Sequence, residues 1–241
     1  MENRDLYPSF ATDQHLHIMF IGHFAVGFGA KAAAPRVSLG SLFLAAQFVD
    51  LLWPTLLLLG LERVKIVPGI TKVTPLDFEH YPITHSLLMA IVWGLLFAGV
   101  YWMARRYRAG AIVLGLCVVS HWLLDLLVHR PDLPLIPGGA TRLGIGLWNS
   151  LAATLIVEGL LFVVGVWLYL RSTTAKNRVG RWALWSLIAF LALIYIANLF
   201  GPPPPDVQSI AWAGHLQWLF VLWAYWVDRN RTAIGVKVKE V

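Results

Sequence analysis

The sequence holds a single cysteine, Cys117, so no intrachain disulfide can form and no set of thiolates is available for a metal cluster. Charge is equally scarce. Only 13% of the 241 residues are Asp, Glu, Lys or Arg, where a water-soluble domain carries about 25%, and a soluble globular fold is thereby excluded. Residues 1 to 17 are polar, with Glu2, Arg4, Asp5 and Asp13, and lack the apolar stretch of a cleavable signal peptide. Insertion is therefore expected to be directed by the spans themselves. There is also no internal repeat, no long linker and no separable soluble region. The whole chain, 1–241, reads as one integral membrane domain.

What is present is apolar surface in long runs. Hydrophobic residues make up 58% of the chain, and the mean hydropathy is +0.67. Crossing a hydrocarbon core of about 30 Å takes roughly 20 mainly apolar residues in a helix. Segments of that kind recur at 18 to 34, 38 to 60, 83 to 104, 109 to 128, 144 to 170, 181 to 200 and 209 to 227. The expected fold is an all-α bundle of about seven spans. Gly22, Gly27 and Gly29 in the first suit close helix packing.

The basic residues give the orientation, because Lys and Arg accumulate in cytoplasmic loops. Thirteen of them, including Arg105, Arg106, Arg108, Arg171, Lys176, Arg229 and Lys237, follow the odd-numbered spans. Six, from Arg4 to Arg142, occupy the alternate set. This bias predicts the N terminus outside and the C terminus inside. The formal charge of +6 then faces anionic inner-leaflet lipid and implies no nucleic-acid partner. Membrane lipid is the partner that composition implies, and the oligomeric state is not encoded in these features.

Ionisable residues at membrane depth are costly and usually mark a site or pathway. Here they gather towards one side: His23 in the first span, Asp50 in the second, His80 and His85 at the entrance to the third, and His121, Asp125 and His129 towards the outer end of the fourth. Glu158 falls near the middle of the fifth. A spacing of four places His121 and Asp125 on one helix face, where a single metal ion can take both. Pro82 favours the first turn of a helix, so His80 approaches from a loop and His85 from one turn inside. Thr84 or Ser86 is positioned to hydrogen-bond a neighbouring ligand. His129 continues the stripe, either as an outer ligand or as a polar helix end. Cys117 reads as a small buried hydrophobe, and His215 as a hydrogen bond between helices. Imidazoles and carboxylates without thiolates suit zinc first, then manganese or iron.

At these residues the chain resembles the YdjM-like family of bacterial inner-membrane proteins, described as membrane-bound metal-dependent hydrolases. The likeness lies in Gly22-His23, Val49-Asp50 before Pro54, His80 through Leu87, and Ser120-His121-Trp122-Leu123-Leu124-Asp125. That family is in turn similar to zinc-dependent phospholipase C and P1-type nucleases, which carry a His-x-x-x-Asp helix pair. The resemblance implies a phosphoesterase in a bacterial inner membrane. The chain departs from the pattern in having one acid near Asp50, Tyr81-Pro82 after His80, and Thr154 four residues before Glu158. One or two ions are therefore expected, and Asp77 or Glu79 stands in for the missing acid.

The expected metal ligands are His23, Asp50, His80, His85, His121 and Asp125, in a metal-site core of about 18–135 with additional helices at 144–227. Asp77, Glu79 and Glu158 are the candidate proton shuttles, and Glu158 has a structural role as its alternative. A site towards the outer, periplasmic face makes a lipid head group the natural substrate, with a soluble phosphoester as the other. The rival reading is a transporter or proton pathway, in which the acids and histidines form a metal-independent relay.

Overall fold

A computed structural model describes residues 21–234. The polar segment around Arg4, the first residues of the first expected span, and Lys237 and Lys239 lie outside the described residues. The chain is mostly helical. In order, α1 is Ile21–Ala33, α2 Leu39–Ala46, α3 Phe48–Leu58, α4 Pro82–His85, α5 Leu87–Arg105, α6 Arg108–Val128, α7 Leu151–Ser172, α8 Arg178–Phe200, α9 Val207–His215 and α10 Gln217–Arg229.

Four helices, α5 to α8, are long and apolar enough to cross a membrane, and α2 with α3, bent by 53°, supplies a fifth such segment. The remaining two expected spans differ from a simple crossing. The described part of α1 is 13 residues, roughly 20 Å at 1.5 Å per residue. The segment 209–227 is divided at Leu216, the residue that separates α9 from α10. The fifth span also begins later than expected, because Leu147–Asn149 forms a 3-10 turn and Ser150 caps α7 by accepting from the Ala153 amide.

Many large apolar side chains point away from the bundle. Leu95 on α5 is 69% exposed and Trp182 on α8 is 68% exposed, a surface that water would penalise and hydrocarbon accommodates. Inside, Phe24, Phe28 and Phe43 are fully buried and meet edge to face. Three two-stranded antiparallel sheets tie the ends: β1 (Arg63–Ile66) with β2 (Leu76–His80), β3 (Leu133–Pro134) with β4 (Arg142–Leu143), and β5 (Thr173–Ala175) with β6 (Arg231–Ala233). The first two follow α3 and α6; the third joins the ends of α7 and α10.

The break between α2 and α3 shapes the site. Pro54 cannot donate an amide hydrogen to the Asp50 carbonyl one turn back, which weakens the start of α3. Gln47 sits at the bend, outside helical geometry. Elsewhere the bundle depends on small residues. At Gly165 on α7 any side chain would collide with the Ala25 backbone of α1, whereas Gly159 on the same helix has nothing within 4 Å of where a side chain would start. Gly165→Leu is therefore expected to cost about 1–3 kcal/mol by overpacking and lower the unfolding midpoint in detergent, with Gly159→Leu neutral or stabilising. Equal melting of the two variants would contradict this α1–α7 contact.

Candidate metal centre

The bundle brings five of the six expected ligands together. His23 comes from α1, Asp50 from the first turn of α3, His85 from the end of α4, and His121 and Asp125 from successive turns of α6. Asp125 Oδ1 lies 3.2 Å from His23 Nε2, and Asp125 Oδ2 lies 3.4 Å from His121 Nε2 and 3.7 Å from His85 Nε2. Asp50 Oδ1 is 3.3 Å from His85 Nε2 and 3.4 Å from His121 Nε2. Two ligand sets result, His23–His121–Asp125 and Asp50–His85–His121, each with its donor atoms within 4.8 Å of one another. They share His121, whose ring stacks on His23 at 3.6 Å.

At these rings the nitrogen turned away from the carboxylates is already committed. His121 Nδ1 lies 2.8 Å from the Ala46 carbonyl, an acceptor only, so Nδ1 carries a hydrogen and Nε2 is left to hold either a proton or a metal ion. The bend at Gln47 leaves that carbonyl open for the contact. His85 obeys the same logic through a relay. Thr84 Oγ1 donates to Glu62 Oε2 at 2.6 Å and therefore accepts from His85 Nδ1, also at 2.6 Å. Two imidazole Nε2 atoms thus face two carboxylates, Asp125 buried and Asp50 half-buried, and His121 Nε2 and Asp125 Oδ2 have no hydrogen-bond partner among the described residues. Such a cluster is stable with protons on the imidazoles or with a cation between the donors. The donor set fits a metal ion, with the opposite imidazole nitrogens anchored as metal-binding histidines require.

Glu62 is the residue the sequence did not advertise. It reads as a loop acid after α3, yet it is 1% exposed. Its Oε1 accepts from the amides of Ile83 at 2.8 Å and Thr84 at 3.0 Å, so it caps α4 electrostatically while its other oxygen holds Thr84. Only its position immediately before β1, the strand that pairs with the one leading into the His-bearing turn, could have hinted at the role.

The remaining expected residues fall elsewhere. His80 closes β2 opposite Arg63 and belongs to neither ligand set among the described residues; strand pairing holds it at the sheet end, and Tyr81 takes the buried position. Asp77 pairs with Arg130, and Glu79 with Lys65 at the surface. Glu158 is fully buried in α7 and also lies outside both sets. His215 links α9 to α3: its Nδ1 donates to the Ala211 carbonyl at 2.8 Å, leaving Nε2 to accept from Thr55 at 3.1 Å.

His129 is neither a ligand in these sets nor solvent-facing. It is 3% exposed and its Nδ1 donates to Asp132 Oδ1 at 2.9 Å. Asp132 also accepts from Tyr81 at 2.9 Å and from Arg130 Nε at 3.1 Å. Burial, and then the Asp132 carboxylate, hold the Tyr81 phenol well above its ordinary pKa, so it remains a donor. His129, Asp50, His85 and Asp125 line a small cavity of about 20 Å³ together with Trp53 and Trp148. That is room for about one water. The indole N–H groups of both tryptophans are buried without an acceptor among the described residues.

Near the other end of α1 from His23, Lys31 is 3% exposed and donates to Asp228 at 2.8 Å and to the Val37 carbonyl at 2.7 Å.

The family model described as YdjM inner membrane protein matches residues 17–201, and the chain belongs to that family. No curated protein and no solved structure matches it significantly. Glu62→Gln should weaken metal binding about 10- to 100-fold through the loss of the charge that orients His85, measured by competition with a chromogenic chelator. Unaltered affinity would show that the relay does not set the ligand.

Proposed function

We propose that this member of the YdjM inner membrane protein family is a metal-dependent hydrolase that cleaves a phosphoester at the outer face of a bacterial inner membrane. One observation carries the reading: the Nε2 atoms of His85 and His121 converge on Asp50 and Asp125, with both Nδ1 atoms already committed. Zinc suits the donors best, as one ion or as two sharing His121. His80 joins as a further ligand only by a movement of the β2 end. The chain crosses the membrane seven times, with α1 and the α9–α10 pair completing the count, the N terminus outside and the C terminus inside. The basic-residue bias, thirteen against six, supports that topology.

When bound, a divalent cation supplies Lewis acidity, lowering the pKa of a water towards about 7 and polarising an ester oxygen. The chain's own groups do the rest. His129, with Nδ1 held by Asp132, has a free Nε2 to take the proton of a water in the 20 Å³ cavity. The unpartnered indole N–H groups of Trp53 and Trp148 donate to the phosphoryl oxygens as charge develops. Asp77 acts at one remove, holding Arg130 against Asp132. Glu79, paired with exposed Lys65, exchanges the proton with water, and Glu158, buried in α7, supports the bundle. The phosphoester class rests on the likeness of the His121–Asp125 pair to that of zinc-dependent phospholipase C.

Purified protein is expected to retain divalent metal by elemental analysis. His121→Ala combined with Asp125→Ala should remove both the metal and the release of phosphate from phosphoester substrates, and a metal content equal to wild type would refute the assignment. His129→Gln should keep the metal but lower kcat by about 10²-fold or more; wild-type turnover in that variant would move the proton transfer to another group.

A further inference from the structure

A second, larger cavity begins where the small one ends. It encloses about 510 Å³ between α3, α8, α9 and α10, within the roughly 300–1,000 Å³ of sites that take small molecules. Its walls are apolar for most of their area, with Phe190, Ile194, Ala213, Leu219, Phe220 and Trp223 contributing. Asp50 and Trp53 line both this cavity and the 20 Å³ cavity beside the histidines. They form the shared wall between an apolar chamber and the candidate metal centre.

Local structure keeps the chamber beside Asp50. Gly214 lets α9 sit directly on the Pro54 ring, since a side chain there would start 2.5 Å from Pro54 Cγ. The Thr55–His215 hydrogen bond fastens the same pair of helices. Neither contact fills the chamber; both fix its floor next to the one carboxylate in its lining. An apolar cavity of this size is a poor host for water. It is also too apolar to recognise a free sugar phosphate or nucleotide by hydrogen bonds, because beyond Asp50 its polar groups reduce to Asn198, Ser209 and Gln217.

We infer that the chamber holds the hydrocarbon tail of an amphiphilic substrate, so that the phosphate at the head of that tail lies at Asp50 and Trp53. This inference rests on the hydrolase reading for its choice of a phosphate head. The occupant is a long-chain phosphate monoester or diester drawn laterally from the membrane. Its tail replaces solvent or loosely held lipid against Phe190, Ile194 and Leu219, and Trp53 stands where tail meets head. Affinity then comes mainly from methylene burial, while a cation held by Asp50, His85 and His121, when bound, would offset the Asp50 charge and draw the anionic head to the wall.

The test uses the full chain in phosphatidylcholine nanodiscs and a dodecylphosphonate with a photoreactive group at the end of its tail. Labelling is expected on α8, α9 and α10 at the chamber, displaced by unlabelled dodecyl phosphate and not by dodecyltrimethylammonium. Ala213→Trp and, independently, Ile194→Trp should each lower labelling by about tenfold or more, with metal content checked to exclude misfolding. Labelling that both amphiphiles displace alike, or that neither variant lowers, would show ordinary bilayer lipid only and overturn the site. The hydrolase reading is scored separately. Tail labelling without phosphate release from dodecyl phosphate would sink the hydrolase and leave the tail site. Equal kcat/KM for glycerol phosphate and dodecyl phosphate would do the reverse.

Discussion

Two carboxylates inside an apolar bundle, Asp125 buried and Asp50 half-buried, set the terms for everything around them. Asp50 and Asp125 face each other across the rings of His85 and His121, and a pair of unneutralised carboxylates at that depth would cost several kcal/mol per ion. Protons on the imidazoles could offset the charge only at Nε2, since both Nδ1 hydrogens are already given away. A divalent cation offsets it with one group and uses all the lone pairs at once. The fold is arranged accordingly: the Ala46 carbonyl, Thr84 and Glu62 hold the back of the rings.

That arrangement explains features that would otherwise be defects. A break in a membrane helix leaves backbone groups without partners, and lipid-exposed breaks are not tolerated. The α2–α3 break is buried, and a histidine uses the carbonyl it opens. Pro54 weakens the first turn of α3, which carries Asp50, and also forms the surface on which Gly214 packs. The short α4, a single turn started by Pro82 and capped by Glu62, exists to turn His85 inward before Ser86 caps α5.

The membrane character and the clustered residues His23, Asp50, His85, His121 and Asp125 were legible because each leaves a local mark: a long apolar run, or an ionisable residue inside one. The i, i+4 pair on α6 needed no tertiary knowledge at all. Glu62 and Asp132 were not legible, because a loop acid looks the same whether it is solvated or folded back over a helix turn. His80 misled for the mirror reason. Its motif is local, but its placement depends on pairing with Arg63, a strand register that hydropathy does not encode. The breaks at Gln47 and Leu216 were likewise hidden inside runs whose composition alone spans a membrane.

The buried Lys31–Asp228 pair bears on the choice between a metal site and a relay. A proton pathway needs titratable groups within hydrogen-bond or water-bridged reach from one face to the other. His23 and Lys31 stand on the same helix, eight residues and about 12 Å apart. Phe24 and Phe28 lie between them, packed on Phe43, Phe162 and Tyr169. Fully buried aromatic rings leave no room for a water chain, and Lys31 is committed to Asp228 and to the Val37 carbonyl. The Lys31–Asp228 pair therefore fastens α1 to α10 rather than extending the histidine cluster. A site closed beneath by phenyl rings, and bordered by an apolar chamber at Asp50, suits chemistry on a molecule that enters from the membrane and leaves the same way.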